Sequence, residues 1–302
     1  MIILKNLIAA FFLSLSLSAG ARSLQIVAVG DTGKANEGQK RVATAMGNYC
    51  RGIACDYGLL LGDNLYQEGM LDTRDKRMDL VFRDIYGFLN FPFFVTLGNH
   101  DYGKLSQNWT RGRFQVEYGK RNSQFILPSF WYIKEFEHVV LVGLDTTRMM
   151  WSKDIEPQKA MMKKAIELSK GKFLIVFGHH PYLSNGKHGN AGKYDGFSFP
   201  SFASGRDVKR FFEEIVCGKA HLYLSGHDHN LQMINGNQAG CKTQLIVSGA
   251  GATSTQLFKR NLTQFESTSL GFVGLTIEDD IIRVKFVNDG NQVLFETTIV
   301  KN

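Results

Sequence analysis

Short runs of apolar residues recur along the chain, and most of them are followed at once by glycine and by polar or ionisable residues. Continuous apolar runs of this length are typical of strands that are buried on both faces of a sheet. Because the polar residues come where such strands end, they should gather along one edge of the sheet. The runs occupy residues 24–29, 59–61, 93–97, 139–144, 173–177, 221–224 and 245–248.

Helical patterns lie between several of these runs. In residues 77–87 the apolar side chains recur with the spacing of one helix face. Residues 157–170 predict a second helix that ends at Gly171, and residues 207–217 predict a third with Asp207 as its N-cap. Strands that alternate with helices predict an α/β sheet, in which ligands bind beyond the carboxyl ends of the strands.

The last part of the chain has a different character. Residues 271–277, 281–288 and 292–300 predict a set of antiparallel strands, with turns at 279–280 and 289–291. No linker separates this part from the rest, so the sequence predicts one domain that contains mixed sheets.

The polar residues after the apolar runs include a mixed set of possible metal ligands. They are Asp31, Asp63, Tyr66, Asn99, His179, His227 and His229. Oxygen donors and imidazoles without a thiolate suit iron, zinc or manganese. The set is too large for one tetrahedral ion, but with one bridging carboxylate it suits two ions about 3.5–4 Å apart.

These residues belong to short motifs, each of which is only moderately specific. A lone Gly-Asp after a strand is usually a turn, and a lone His-x-His is as often part of a surface loop as of a site. The motifs are GDTG at 30–33, GDNLY at 62–66, GNHD at 98–101, VFGH at 176–179 and GHDH at 226–229.

In this order the motifs resemble those of the purple acid phosphatases, within the calcineurin-like metallophosphoesterases, whose pattern is GDxG, GDxxY, GNH(D/E), VxxH and GHxH. The stretches 226–232 and 248–251 and the closing strands resemble the small tartrate-resistant branch. The resemblance covers nearly all of the chain after residue 21. It implies an α/β fold, a four-layer α/β/β/α sandwich of two mixed β-sheets flanked by helices.

The resemblance also implies a binuclear centre in which Asp63 is shared by both ions. The ferric ion would be held by Asp31, Tyr66 and His229. A divalent iron, zinc or manganese ion would be held by Asn99, His179 and His227. Tyr66 is the discriminating residue, since a phenolate is a hard anionic donor that favours Fe(III).

The function implied is that of a secreted acid phosphatase, which hydrolyses phosphate monoesters with a hydroxide activated by the Fe(III)–M(II) pair. Small molecules and phosphoproteins both remain open as substrates. The alternatives are a phosphodiesterase or nucleotide phosphatase on the same fold, and a non-catalytic phosphate-binding surface protein.

Three further histidines are candidate catalytic residues. His100 follows the ligand Asn99 and is expected to contact phosphate, with Asp101 as its partner. His188 is favoured as the proton donor, because animal relatives carry a catalytic histidine in a similar Glu-His-Gly stretch. His180 is the competitor, because plant relatives carry a histidine at that place; its alternative role is to hydrogen-bond a ligand.

Residues 1–21 predict a signal peptide. Lys5 precedes the apolar run 7–17, and a small-x-small stretch then predicts cleavage before Arg22. The run is shorter than the roughly 20 residues that span a bilayer, although an uncleaved anchor is the alternative. A metallophosphoesterase domain at 22–302 would then be extracellular, or lysosomal or periplasmic depending on the host, without stable membrane insertion.

The composition indicates which kinds of partner molecule to expect. The formal net charge is +7, which favours anionic substrates, but basic residues are not interleaved with aromatic ones, so we expect no nucleic-acid partner. A monomer is expected. Export makes disulfides possible, and Cys50–Cys55 with Cys217–Cys241 is one of three pairings, free thiols being the further alternative. Asn108 and Asn261 lie in sequons that would be glycosylated in a eukaryotic secretory route.

One segment departs from the animal relatives. Residues 190–204 form a longer stretch that is rich in glycine and aromatic residues. Phe197, Phe199 and Phe202 either border the mouth of the site or belong to a surface loop packed on itself, and the sequence favours neither interpretation.

Overall fold

The computed structural model describes residues 23–301, and the strands of this part form two seven-stranded sheets. The strands are β1 (Leu24–Val29), β2 (Tyr57–Leu61), β3 (Phe93–Thr96), β4 (Phe125–Ile126), β5 (Tyr132–Glu135), β6 (Val139–Gly143), β7 (Phe173–Phe177), β8 (Leu222–Ser225), β9 (Leu231–Asn235), β10 (Gln244–Ser248), β11 (Thr263–Ser267), β12 (Gly271–Ile277), β13 (Ile281–Asn288) and β14 (Val293–Val300). The α-helices are α1 (Glu37–Ile53), α2 (Asp84–Tyr86), α3 (Trp109–Gly119), α4 (Thr146–Met150), α5 (Ile155–Leu168), α6 (Ser201–Ser204) and α7 (Arg206–Phe211). Two π-helical turns, Asp79–Arg83 and Phe212–Val216, adjoin α2 and α7.

Both sheets are mixed. The first has the order β14-β13-β12-β1-β2-β3-β4, in which β1 to β4 are parallel and β12 to β14 are antiparallel. The second has the order β11-β9-β10-β8-β7-β6-β5, with a parallel centre and antiparallel strands at both edges. The expected α/β class, with two mixed sheets flanked by helices, is confirmed.

The two faces of the second sheet are buried against different partners. Leu141 and Ile175 belong to the large core that it shares with the first sheet, whereas Val140 and Val176 belong to a second core beneath α4, α5 and α7. Strand side chains alternate between faces, so burial on both faces requires the continuous apolar runs seen in the sequence. This arrangement points the carboxyl ends of the parallel strands to one edge.

Several predicted boundaries need correction. The helix expected at 77–87 is confirmed from residue 77 to residue 86 and contains a π-helical turn at Asp79–Arg83, whereas the one expected at 157–170 runs from Ile155 to Leu168. Asp207 is not an N-cap, because α7 begins one residue earlier, after Gly205; the Asp207 carboxylate instead accepts a hydrogen bond from Ser152 Oγ at 2.6 Å. The three closing strands are confirmed within one residue.

The cysteine pairing Cys50–Cys55 and Cys217–Cys241 is confirmed. The first bridge ties the end of α1 to the strand that follows. The second closes a separation of 24 residues, which in the chain-entropy account stabilises the fold by about 3 kcal/mol. The predicted signal peptide lies outside the described residues. Between residues 23 and 301, no helix has the length and apolar character needed to cross a membrane.

Candidate metal centre

The predicted ligands lie in the loops that follow the carboxyl ends of parallel strands, with Tyr66 further along the loop that carries Asp63. Asp31 follows β1, Asp63 follows β2 and Asn99 follows β3 in the first sheet, while His179 follows β7 in the second. His227 and His229 follow β8, beside β7. The loops are joined by backbone hydrogen bonds, such as Gly226 N to His179 O at 3.0 Å and Asp31 N to Gly62 O at 3.0 Å. Both sheets therefore contribute to one cluster.

Three of these ligands have an unusual backbone conformation. Asp31, Asp63 and His227 have φ values of 59°, 54° and 69°, in the left-handed region that non-glycine residues rarely adopt. Each such residue costs about 1–3 kcal/mol, and residues of this kind concentrate at functional sites. The conformation turns the chain sharply at the strand end, which brings the side chain over the edge of the sheet.

Two motif glycines make room for the carboxylates. A Cβ on Gly98 would lie 2.2 Å from Asp63 Oδ1, and a Cβ on Gly226 would lie 2.4 Å from Asp31 Oδ2. Any side chain at these positions would push against a buried ligand. Backbone amides then hold the carboxylates from the freed side: His100 N donates to Asp63 Oδ1 at 2.9 Å and His227 N donates to Asp31 Oδ2 at 2.8 Å.

The first cluster of donor atoms contains Asp31, Tyr66 and His229. The Tyr66 hydroxyl lies 3.0 Å from Asp31 Oδ1 and 3.2 Å from His229 Nε2, and that nitrogen lies 3.4 Å from Asp31 Oδ1. Thus one carboxylate, one phenol and one imidazole converge on a single point.

The second cluster contains Asn99, His179 and His227. His179 Nε2 lies 2.9 Å from Asn99 Oδ1 and 3.2 Å from His227 Nδ1. Asp63 Oδ1 lies 3.5 Å from His179 Nε2, and the donor atoms of Asp31, Asp63 and His179 all lie within 4.8 Å of one another. Asp63 therefore lies between the two clusters, as expected for a shared ligand.

These distances fit metal ions. Donors bound to one ion at about 2.1 Å are about 3.0 Å apart in an octahedral arrangement and about 3.4 Å apart in a tetrahedral one. The separations of 2.9–3.4 Å within each cluster match this range. Within residues 23–301 the chain thus brings together two sets of three donor groups with the Asp63 carboxylate between them.

Burial and neighbouring charges shift the pKa values of the donor groups, and the shifts of Asp31 and His227 favour the binding of a cation. Burial alone would raise the pKa of Asp31, but the hydrogen bond and charge of His229 outweigh it and lower the pKa. Burial lowers the pKa of His227 well below its ordinary value, and the neighbouring imidazoles add to this effect, so the ring is neutral and can bind a metal. Burial and the charges of Asp31 and Asp63 raise the pKa of Tyr66, so its ionisation would require a cation nearby.

The candidate catalytic histidines surround the second cluster. The ring of His188 lies 4.2 Å from that of His227, and its Nδ1 lies 2.9 Å from Asp195 Oδ1. The ring of His180 lies 4.6 Å from that of His227 but is 2% exposed, and its Nδ1 is hydrogen-bonded to Thr146 Oγ1 at 2.9 Å. His188 is 28% exposed. His188 is thus the more accessible of the two rings.

His100 lies near Asp63, but the prediction that Asp101 is its hydrogen-bond partner is wrong. His100 Nε2 is 4.0 Å from Asp63 Oδ2, and its Nδ1 is hydrogen-bonded to Gln67 O at 2.9 Å. The carboxylate of Asp101 instead accepts bonds from Asn64 N at 3.0 Å and Gly98 N at 2.8 Å. Asp101 therefore fixes the loops that carry two ligands rather than orienting His100.

Three supporting residues were missed in the sequence. Lys34 Nζ lies 4.6 Å from the ring centre of Tyr66 and donates to Thr253 Oγ1 at 2.9 Å; that hydroxyl is also 2.9 Å from His229 Nδ1. Asp228 accepts a hydrogen bond from His188 N at 2.8 Å and so holds that loop at the site. The position of Lys34 directly after GDTG, and of Asp228 between two ligand histidines, was the available signal.

The chain belongs to the calcineurin-like phosphoesterase family, whose model matches residues 24–231. The domain is thus a phosphoesterase, and membership implies a binuclear metal centre.

The names of the similar proteins describe a narrower activity than the name of the family does. The chain is 29% identical to tartrate-resistant acid phosphatase type 5 of Sus scrofa over 76% of this chain and 69% of the relative. It is 27% identical to purple acid phosphatase 4 of Arabidopsis thaliana over 90% and 82%. A similar solved structure, described as GAP50, the anchor in the inner membrane complex of Plasmodium, has a TM-score of 0.72 at 21% identity and covers 93% of this chain and 90% of that one. The last likeness is one of fold alone.

Proposed function

We propose that this chain is a secreted acid phosphatase that hydrolyses phosphate monoesters at one ferric and one divalent ion, the latter being iron, zinc or manganese. The supporting observation is the pair of three-donor clusters on either side of Asp63, one of which contains the phenol of Tyr66. A phenolate favours Fe(III), and the relatives named purple and tartrate-resistant acid phosphatases have the activity in their names.

When bound, such a pair of ions supplies an activated water and neutralises charge on the phosphate. The chain's own residues shape what surrounds that chemistry. His100, beside Asp63, is placed to donate to a phosphate oxygen, and the net charge of +7 favours anionic esters. The backbone amides on Asp31 and Asp63 keep both carboxylates in place.

His188 is the proposed proton donor to the leaving-group oxygen. Burial opposes its protonation, but the hydrogen bond to Asp195 and the charges of Asp228 and Asp195 raise the pKa of His188 above its ordinary value. Burial lowers the pKa of His180 well below its ordinary value. Because a general acid must hold a proton at the working pH, His188 suits the role and His180 suits positioning of the loop through Thr146.

The test is turnover of a monoester and a diester by the purified, metal-loaded chain. We expect 4-nitrophenyl phosphate to be hydrolysed far faster than bis(4-nitrophenyl) phosphate, with the optimum below pH 7, and a chelator to abolish both rates. A faster diester rate would indicate the phosphodiesterase alternative. Phosphate binding without turnover of either ester would indicate a non-catalytic binder and overturn the proposal.

Secretion is part of the proposal. Two disulfides within residues 23–301 are typical of an oxidising compartment, which supports export by the predicted signal peptide. Expression of the full chain with sequencing of the recovered N-terminus should find Arg22 first. In a eukaryotic host Asn108, which is exposed, is the better glycosylation site, because the Asn261 amide already donates to Asn190 Oδ1 at 2.9 Å.

A further inference from the structure

A cavity of about 220 Å³ opens on the second donor cluster. Asn99 and His227 form part of its wall, so the cavity is continuous with the proposed metal centre. His188 and Asp195 lie on the wall beside them. Beyond these residues one side of the wall carries Met150, Trp151, Phe197 and Phe202, and the rest of the lining is made of Ser106, Thr147, His180, Tyr194 and Ala203.

The far wall is an aromatic surface. Trp151 and Phe202 are stacked, with ring centres 4.5 Å apart and an angle of 6° between the planes. Phe202 remains 47% exposed and Phe197 54% exposed, although exposed aromatic rings add little to stability. Phe199, in the same segment, is 73% exposed and is not part of this wall. Apolar surface left exposed beside polar groups marks a binding site.

The segment that carries the phenylalanines is fixed to the proposed proton donor. Asp195 N donates to His188 O at 2.9 Å, and Asp195 Oδ1 is hydrogen-bonded to His188 Nδ1 at 2.9 Å. Phe197 follows two residues later. On the other side, Asp145 caps α4 by accepting from Arg148 N at 3.0 Å, and Trp151 follows the last residue of that helix. The segment with Phe197 is therefore held directly to His188, and Trp151 is held at the end of the capped helix α4.

This order of residues defines what the cavity would bind. A proton donor faces the oxygen of the leaving group, so the rest of the leaving group must lie beyond the donor, against Phe197, Phe202 and Trp151. An aromatic ring would stack on these side chains, whereas a polyhydroxyl group placed against the same rings would lose hydration without hydrogen bonds from them. The volume suits a single ring, because pockets for larger ligands are usually about 300–1,000 Å³.

We propose that Trp151, Phe197 and Phe202 form a leaving-group subsite that makes this chain select phosphate monoesters of aromatic alcohols over those of polar alkyl alcohols. The proposal rests on the proposed phosphatase function, which it refines.

Two measurements on the metal-loaded protein test the subsite. The first is the ratio of kcat/KM for phenyl phosphate to that for glycerol 2-phosphate, compared between wild type and Phe202→Ala, so that the intrinsic difference between the two esters cancels. We expect the ratio to fall by about five- to tenfold. Phe197→Ala should act in the same direction, and Phe199→Ala, the matched control, should leave the ratio at the wild-type value.

The second measurement does not depend on turnover. Calorimetric titration with phenylphosphonate and methylphosphonate should show that the ring adds affinity in the wild type and that Phe202→Ala removes most of that gain. If Phe202→Ala does not fold, Phe202→Leu, which keeps the apolar bulk, should give a smaller loss in the same direction.

The outcomes separate the two proposals. If the wild type hydrolyses both esters but the ratio is the same in wild type, Phe197→Ala and Phe202→Ala, the subsite is overturned while the phosphatase function stands. If neither ester is hydrolysed but phenylphosphonate still binds better than methylphosphonate in a Phe202-dependent manner, the subsite stands and the phosphatase function fails.

Discussion

The ligand-bearing strand ends and the segment 187–204 border the same cavity, but they are built in opposite ways. At the strand ends, Asp31 and Asp63 are buried, held by backbone amides and given space by glycines. In the segment, Phe197 and Phe202 are about half exposed. The strand ends therefore require particular residue types at every position, whereas the segment can vary with the substrate. We therefore expect the strand ends to determine the reaction and the segment to determine which esters are selected.

The largest effect should come from Asp63, the carboxylate that lies between the two donor clusters. Asp63→Asn keeps the shape but removes the charge that both clusters face, so kcat should fall by about a thousandfold or more. Asp72→Asn, at an exposed aspartate of the following loop, is the control and should keep wild-type kinetics. Turnover of Asp63→Asn within tenfold of wild type would mean that the strand ends do not carry the chemistry.

The proposed proton donor should give a smaller effect that depends on the substrate. His188→Asn should lower kcat by about a hundredfold for glycerol 2-phosphate, whose alkoxide needs a proton, and by much less for 4-nitrophenyl phosphate, whose phenolate leaves readily. His180→Asn should lower both rates by similar factors, because its bond to Thr146 positions the loop. The opposite pattern would assign the donor role to His180.

Adding one methyl group to a glycine should have opposite effects at a crowded position beside Asp63 and at an open position in α1. Gly98→Ala places a Cβ 2.2 Å from Asp63 Oδ1, so we expect a loss of about 10- to 100-fold in kcat/KM together with weaker metal retention. Gly52→Ala, in α1 with no atom within 4 Å of the added Cβ, should keep full activity and stabilise the chain by about 0.5–1 kcal/mol. Denaturant unfolding and metal analysis of both variants test this comparison.

Asp145, which follows β6 and caps α4, should make stability depend on pH. Burial raises the pKa of Asp145 from 3.8 to about 7, so the folded chain keeps a proton that the unfolded chain releases near pH 4. The free energy of unfolding should therefore fall as pH rises towards 7, by at most about 1.4 kcal/mol per pH unit from this group. Urea unfolding of wild type and Asp145→Asn from pH 5 to 8 measures it: the stability of wild type relative to the variant should decline from pH 5 to about 7 and then level off.

The strand ends were largely predictable from the sequence, and the surrounding residues were not. A continuous apolar run followed by Gly-Asp or Gly-His gives a local signal for β1, β2 and β8, so the side chains that gather at this edge could be named in advance. The partner of Asp101 could not, because its carboxylate binds amides more than thirty residues away as well as Gly98. The same holds for Lys34, whose contact with Thr253 spans 219 residues.

The segment 190–204, with its three phenylalanines, shows what the sequence alone could not predict. Three phenylalanines within 197–202 gave no way to tell a substrate mouth from a self-packed loop. The difference depends on Trp151, which reaches Phe202 only once α4 and α6 are in contact. Similarly, aspartate is a residue type favoured at N-caps, but Asp207 does not cap α7, because the helix begins one residue earlier, after Gly205. Such outcomes depend on tertiary packing rather than on local pattern.

Metal analysis combined with the visible spectrum of the purified protein tests whether these side chains hold a pair of ions that includes iron. We expect two ions per chain, at least one of them iron, with a purple absorption band that disappears in Tyr66→Phe while the ion bound by Asn99, His179 and His227 is retained. A fully active wild-type protein that contains no iron, or a purple band that survives in Tyr66→Phe, would contradict it.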